Sequence, residues 1–154
     1  MYERIAKRLA RACGCEVTDI FGPTEESDLE ALTELGLPES VVDFYREFSP
    51  MESLEVEDAR LWSVPQILEE NRDFPPGADI HDLGFIVVGG HSDGTVFCVD
   101  LGADGTNDPP PIVAFSGVVR TGGKDRDLVE SQSRPAADTF DEFLILLSKG
   151  ELPV

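Results

Sequence analysis

Basic residues are scarce in this chain. Lysine and arginine together number 12 against 31 aspartate and glutamate residues, which leaves a formal net charge of −19 over 154 residues. A protein that binds nucleic acid needs a basic surface to replace the counterions of the phosphate backbone, so this balance argues against nucleic-acid binding. The same charge disfavours an anionic membrane surface. It leaves two interpretations, an effect on solubility or a protein partner with a basic surface.

Long apolar runs and an apolar leader are also lacking. The chain begins Met-Tyr-Glu-Arg and continues into an amphipathic stretch, which predicts no secretory signal. The apolar run at 143–147 is too short to cross a bilayer. Three cysteines cannot all pair with one another, and this count fits a reducing compartment. We therefore expect a cytoplasmic protein that does not bind membranes.

Candidate catalytic side chains are few. His81 and His91 are the only histidines, and neither a G-x-S-x-G nor an H-E-x-x-H pattern is present. The pair Cys13 and Cys15 falls short of the four ligands of a structural zinc site, which leaves a redox pair or a helix end as its interpretations. We predict no catalytic residue, no metal and no cofactor. A small metal-dependent hydrolase that uses His91 and the acidic loop after it is retained as an alternative.

The stretch GGHSDGTVFCVDLGADGTND at 89–108 has turn residues on both sides of a short apolar run. Its glycines resemble those of a phosphate loop, but no Lys-Ser or Lys-Thr pair follows, and the next residues begin a strand. Asp100, Asp104 and Asp108 match positions 1, 5 and 9 of a calcium loop, whereas position 3 is Gly102 and position 12 is Pro111. We expect a hairpin with turn-rich ends.

Helical spacing dominates the first part of the chain. The N-terminal segment places Ile5, Leu9 and Ala12 on one side and four basic residues on the others, and we expect it to dock on the acidic body of the chain. A capping box at Ser27 predicts a second helix that ends at Gly36.

Three further elements are predicted before the spacing changes. The stretch 37–48 has apolar residues at i, i+3, i+4 and i+7, as on a buried helical face, with a proline in its first turn. A strand at 54–62 and a helix that begins after Ser63 follow.

Alternating apolar residues predict strands in the second part. They lie at 83–88, 97–101 and 112–115, followed by a polar loop at 121–133 and a terminal helix over 134–152. This order favours an α+β fold with N-terminal helices, a curved and mostly antiparallel sheet, and a C-terminal helix packed on it. One domain over 1–154 suits the length. The expected core is shared by Phe44, Tyr45, Phe48, Phe85, Val87, Phe97, Val99, Phe140, Phe143, Leu144 and Leu147.

Five segments in order resemble the SUKH superfamily of Smi/Knr-type domains. They are LPESVVDFYREF at 37–48, LWSVPQILEEN at 61–71, LGFIVVGGHSDGTVFCVDL at 83–101, PIVAF at 111–115 and ADTFDEFLILL at 137–147. The chain departs from the family where Ser49-Pro50-Met51 replaces an Asn-Gly-Gly-like turn. The resemblance implies an α+β fold and a non-enzymatic role. Bacterial members are commonly immunity proteins that block a cognate toxin domain, often a nuclease, and fungal relatives act in cell-wall and signalling networks.

Resemblance and charge together predict a protein-binding module. The first hypothesis is an immunity protein that neutralises a toxin domain with a basic surface, and the second is a regulatory adaptor with an endogenous partner. Acidic side chains in turns reach solvent beyond the sheet, so we expect the contact residues among them: Glu55, Glu57, Asp58, Asp93, Asp104 and Asp108.

Overall fold

A computed structural model describes residues 2–153. Its helices are α1 Glu3–Ala12, α2 Val17–Ile20, α3 Glu26–Leu35, α4 Glu39–Glu47, α5 Val64–Arg72, α6 Gly77–Ile80, α7 Arg126–Ser131 and α8 Phe140–Lys149, with a 3₁₀ turn at His81–Leu83. Its strands are β1 Phe21–Gly22, β2 Ser49–Pro50, β3 Leu54–Val56, β4 Ala59–Leu61, β5 Phe85–His91, β6 Val96–Asp100, β7 Ile112–Phe115 and β8 Arg134–Ala137.

Six of the strands form one antiparallel sheet. Their order is β3-β4-β5-β6-β7-β8, so each strand is hydrogen-bonded to the next strand along the chain. The short strands β1 and β2 pair separately, between the N-terminal helices. Helices before the sheet and one helix after it confirm the predicted α+β fold.

One face of the sheet carries a large core covered by long helices. Phe97 of β6 contacts Phe143 of α8 with ring centroids 5.5 Å apart, and Phe143 stacks on Phe140 at 6.0 Å. Phe44 of α4 packs edge-on against Phe140 at 5.8 Å. Helix α1 packs on α8 through Ala6, Leu9 and Ala10, which are buried. The apolar faces of α1, α4 and α8 therefore cover this side of the sheet.

The other face of the sheet carries a second, smaller core. Successive side chains of a strand point to opposite faces, so Phe85 and Val87 lie on the side away from Ile86 and Val88. The members of this small core are Ile80, Phe85, Val87, Cys98, Phe115 and Val129. The prediction that Phe85 and Val87 share one core with Phe97 and Phe143 was wrong for this reason.

A short helix stands where the sequence predicted a polar loop at 121–133. Asp125 caps α7, because its side chain accepts hydrogen bonds from the backbone N–H groups of Asp127 at 3.1 Å and Leu128 at 3.3 Å. Val129 of this helix is fully buried in the small core. A cap and a buried residue thus help to fix a helix in a segment that is otherwise polar.

The terminal helix begins later than predicted. Residues 134–137 form β8, which is an edge strand. Pro135 has no backbone N–H to donate, and this is tolerated because an edge strand has a strand neighbour on one side only. Thr139 caps α8 by accepting a hydrogen bond from the backbone of Glu142 at 3.1 Å. Gly150 adopts φ +69° at the other end, the left-handed conformation that favours glycine.

Three smaller predictions also fail. The stretch 54–62 is a hairpin and not one strand, since Glu57 turns the chain with φ +57° between β3 and β4. Ser27 lies inside the first turn of α3 and caps nothing, because the helix begins at Glu26 after Glu25. Ala12 is exposed, and the buried face of α1 passes through Ala6 instead.

A buried amide joins α5 to the sheet. Strand β4 ends beside Gly89, and the side chain of Asn71 takes the place of a β4 residue next to Val87. Asn71 Nδ2 donates to Val87 O and Asn71 Oδ1 accepts from Val87 N, both at 2.8 Å. Nδ2 also donates to Ile67 O at 2.8 Å, so the fully buried amide is satisfied. The helix is thus fixed in position against β5.

Candidate partner-binding surface

Two acidic turns lie side by side at one end of the sheet. Ala59 pairs with His91, and the backbone N–H of Ser92 donates to Asp58 O at 2.9 Å. The turn between β3 and β4 and the turn between β5 and β6 are therefore neighbours. We name the exposed acids of this end the turn cluster: Glu55, Glu57, Asp58 and Asp93.

The carboxylates of the turn cluster differ in whether they already have a hydrogen bond or an ion pair within the chain. Asp93 accepts a hydrogen bond from Thr95 N at 2.8 Å, and this bond is the main reason that the pKa of Asp93 is lowered. Glu55 faces Arg60 across the hairpin, with Oε2 3.6 Å from Nε. Among residues 2–153, the side chains of Glu57 and Asp58 make no hydrogen bond and no ion pair. These two are the carboxylates most available to a partner.

The other two predicted contact residues lie at the opposite end of the sheet. Asp100 pairs with Phe85, at the start of β5, whereas the turn cluster follows the end of β5, so roughly 20 Å of strand separates the two sites. Asp104 accepts from the hydroxyl of Thr106 at 2.7 Å, and this bond lowers the pKa of Asp104. Asp108 accepts from Ser40 Oγ on α4 at 2.5 Å. The six predicted residues thus form two groups.

The three aspartates that resemble a calcium loop have separate structural partners. Asp100 Oδ1 accepts from Gly102 N at 2.9 Å and from an Arg126 amino group at 2.8 Å. Asp104 closes a local turn and Asp108 contacts α4. Across residues 2–153, no group of three or more His, Cys, Asp or Glu side chains is arranged to hold a metal ion.

The structure does not bring His91 and the acidic loop after β6 together, as the hydrolase alternative requires. His91 Nδ1 lies 3.1 Å from Asp93 Oδ1 in the turn cluster, whereas the acidic loop after β6 is at the far end of the sheet. His81 Nδ1 is 3.1 Å from Gly77 O, within its own helical turn. The stretch 91–95 is a hairpin turn with Gly94 at φ +97°, and a strand follows it, so it has no helix N-terminus to face a phosphate.

An open groove lies beside Asp108 and was missed by sequence reasoning. Its volume is about 520 Å³, and it runs between the N-terminus of the described chain, α4, the loop before β7 and the start of α8, lined by Tyr2, Ser40, Asp43, Pro109, Phe140 and Asp141. Tyr2 closes one side, since its hydroxyl donates to Ser40 O at 2.9 Å. We name this feature the Tyr2 groove.

Burial and negative charge meet in the Tyr2 groove. The pKa of Tyr2 is raised to about 12, first by burial and then by the charges of Asp141, Asp43 and Glu47. Burial also raises the pKa of Asp141. These residues come from four distant segments, so no spacing in the sequence connects them. The only sequence signal is that an acid adjoins a phenylalanine at Asp43 and again at Asp141.

Helix α1 presents a surface of the opposite charge. Arg4, Lys7, Arg8 and Arg11 follow the i, i+3, i+4, i+7 spacing opposite the buried face, and all four are exposed. Within the described part of the chain, none of them lies within 4 Å of a carboxylate. The helix docks on the body of the chain, as the sequence predicts, and it does so through its apolar residues while its basic residues stay exposed.

The acidic turns, the Tyr2 groove and the basic face of α1 are thus carried on an α+β fold. The model of the SMI1 / KNR4 family (SUKH-1) matches residues 22–146, and the chain therefore belongs to this family. Domains of this family are known for immunity-type roles and are generally non-catalytic. No curated protein matches the chain. Within residues 2–153, every helix is too short or too polar to cross a membrane.

Proposed function

We propose that this chain is an immunity protein that binds and neutralises a toxin domain with a basic surface. The observation that carries the proposal is the pair of exposed, unpaired carboxylates on Glu57 and Asp58. The chain that carries them has a net charge of −19 and belongs to a family known for immunity-type roles. The same proposal places the chain in the cytoplasm, where a nuclease toxin meets its substrate.

The physical reason is charge complementarity. A nuclease holds a polyanion and must present a basic groove to it. An inhibitor with acids at the ends of a rigid sheet can occupy that groove in place of the nucleic acid. Its charges increase the rate of association, which can approach about 10⁸–10⁹ M⁻¹s⁻¹ at low salt against roughly 10⁵–10⁶ M⁻¹s⁻¹ without steering. Exposed charges are screened by salt, so the rate falls as salt rises.

The test begins with the partner. A pull-down from the native host followed by mass spectrometry identifies it, and the purified partner is then assayed for toxicity with and without this chain. Stopped-flow association is measured from low to high salt for the wild type and for Glu57→Lys/Asp58→Lys. We expect the variant to associate more slowly, with a flatter salt dependence.

A matched control separates local from global charge. Glu30→Lys/Glu34→Lys on the exposed side of α3 changes the net charge equally, from −19 to −15, since each reversal adds two charges. This control should retain most of the wild-type rate. A rate indifferent to salt and to both reversals would contradict the proposal, as would a partner that is not a toxin.

The adaptor hypothesis is kept as a second candidate because of the basic face of α1. A molecule with acidic turns and a separate basic helix face can hold two partners of opposite charge. An endogenous partner whose binding is lost on Arg4→Glu/Arg8→Glu, but not on Glu57→Lys/Asp58→Lys, would favour the adaptor over the immunity protein.

A further inference from the structure

The Tyr2 groove has a feature that the turn cluster lacks, an apolar wall next to carboxylates. Phe140 and Pro109 line it together with the ring of Tyr2, and Asp43 and Asp141 line it with carboxylates. Its volume of about 520 Å³ lies within the range of about 300–1,000 Å³ that holds small ligands. A group that fits here needs an apolar or planar body and a positive end.

The two carboxylates of the Tyr2 groove are unequally neutralised. Asp43 forms an ion pair with Arg46 on the next turn of α4. Asp141 is exposed as a residue, but its position in the groove partly desolvates its carboxylate, which has no ion pair or hydrogen bond among residues 2–153. Desolvation of an unpaired carboxylate is unfavourable, and a cation that entered the groove would offset it.

We propose that the Tyr2 groove receives an arginine side chain of the basic partner. A guanidinium group is planar, can pack against an apolar wall, and donates to carboxylates with two nitrogen atoms at once. It is also more weakly hydrated than the ammonium group of lysine, so it loses less on entering a partly apolar groove. The proposal rests on the proposed function, since it assigns to the basic partner a place on this chain.

Other occupants fit the groove less well. A purely apolar side chain would bury the Asp141 carboxylate further without pairing it. A second copy of this chain carries exposed arginines on α1, but its net charge of −19 repels the acidic groove as a whole. An arginine satisfies both the wall and the carboxylates.

The experiment uses two peptides and the full chain. N-acetyl-Gly-Arg-Gly-amide is titrated into ¹⁵N-labelled protein, and amide shifts are followed by NMR. The matched peptide carries citrulline, which has nearly the shape of arginine without its charge. We expect saturable shifts at Tyr2, Ser40 and Asp141 with the arginine peptide, and none there with the citrulline peptide.

Variants of Asp141 sharpen the assignment. Asp141→Asn should weaken the arginine peptide by about fivefold, the loss of a partly exposed charge pair worth about 1 kcal/mol. Asp141→Glu should restore binding. The control Asp138→Asn removes the same charge from an exposed residue before α8 and should leave the dissociation constant within about twofold. If Asp141→Asn fails to fold, the comparison of the two peptides on the wild type still decides.

Three results would overturn the proposal: equal binding of both peptides, shifts confined to the turn cluster, or groove shifts that follow protein concentration without peptide. The last of these would identify a second copy as the occupant. The two proposals fail separately. If the chain neutralises an identified toxin but the arginine peptide causes no amide shifts in the groove, only the proposal about the groove is contradicted. If the arginine peptide binds in the groove but the identified partner is not a toxin, only the proposed immunity function is contradicted.

Discussion

The two faces of the six-stranded sheet are covered in different ways. The large core lies under α1, α4 and α8, helices of 9 to 10 residues whose apolar faces run along the sheet. The small core lies under α6, with 4 residues, and α7, with 6. Short elements bury little apolar surface, so the small face depends more on polar contacts. Stability on one face comes from packing, and on the other from a few well-placed hydrogen bonds and charges.

Arg126 makes three of those contacts. It donates to Leu83 O at 2.6 Å and to Asp100 Oδ1 at 2.8 Å, and its guanidinium lies 4.3 Å from the centre of the Phe85 ring. One side chain thus joins α7 to the 3₁₀ turn, to β6 and to the small core. The comparison between the faces can be tested at this residue and at its counterparts.

The largest effect is expected in the large core. Phe143→Ala should lower the free energy of unfolding by about 3–5 kcal/mol, because a fully buried ring leaves a cavity under long helices that cannot close around it. Phe115→Ala in the small core should cost less, about 3 kcal/mol, since the short covering elements can collapse. Urea unfolding followed by circular dichroism measures both. An unchanged free energy of unfolding for Phe143→Ala would show that α8 is not packed as described.

The next effect is expected from the ion pair of the small face. Asp100 and Arg126 side chains are only 14% and 15% exposed, so Arg126→Ala leaves a carboxylate largely out of water and should cost roughly 3 kcal/mol. Lys124 and Asp82 also join the 121–133 segment to the 3₁₀ turn at 3.2 Å, but are 47% and 53% exposed. Lys124→Ala, the matched control, should cost under about 1 kcal/mol. Equal losses in urea unfolding would mean that both pairs are solvent-screened.

A third prediction concerns opening without global unfolding. Cys98 is fully buried in the small core, and burial together with the nearby Asp100 charge raises the pKa of its thiol. The thiolate is the reactive form, so Cys98 should react with iodoacetamide only when this face opens. We expect alkylation roughly a hundredfold slower than at the exposed Cys15, which corresponds to an opening free energy of about 2.8 kcal/mol.

The same labelling distinguishes the two faces. Arg126→Ala should increase the alkylation rate of Cys98 more than its loss in free energy of global unfolding accounts for, because the small face then opens locally. Phe143→Ala should speed it only through global unfolding. Peptide mapping by mass spectrometry measures both rates, and identical ratios of rate to stability in the two variants would argue that the faces open together.

The smallest stability effect is expected at the turn cluster. Glu57→Lys/Asp58→Lys should change the free energy of unfolding by within about ±0.5 kcal/mol for each substitution, since neither side chain has a partner to lose. Asp93→Lys should cost more, because its carboxylate accepts the hydrogen bond from Thr95 N. Urea unfolding of both variants checks this order, and a larger loss for the Glu57/Asp58 pair would reverse it.

The sequence was most informative where apolar spacing was strong. The α4 and α8 faces and the β5–β6 hairpin follow directly from it, because the residues that pack are regularly spaced. It was least informative where one residue decides the structure. Val129 and the Asp125 cap fold α7 in a polar stretch, and Glu57 turns a predicted strand into a hairpin.

The candidate contact residues were predicted one by one, and their grouping was not. All six are exposed, although Glu55 lies in strand β3 and not in a turn. Whether Asp93 and Asp108 share a surface depends on which end of the sheet each loop leaves, and this needs the strand order. The Tyr2 groove depends in addition on the docking of α1, through contacts that no local pattern specifies.

The contact between α1 and α8 has a consequence for synthesis on the ribosome. The meander pairs each strand with the next, so the sheet can form in the order in which it is made, and such local pairing favours rapid folding. Helix α8, however, follows every strand of the sheet along the chain, and it supplies Phe140, Phe143, Leu144 and Leu147 to the large core. Until it emerges, α1 has no α8 to pack on and the apolar face of the sheet stays open. A truncated or stalled chain would therefore expose that face, which makes it a substrate for chaperones and proteases rather than a partial binder.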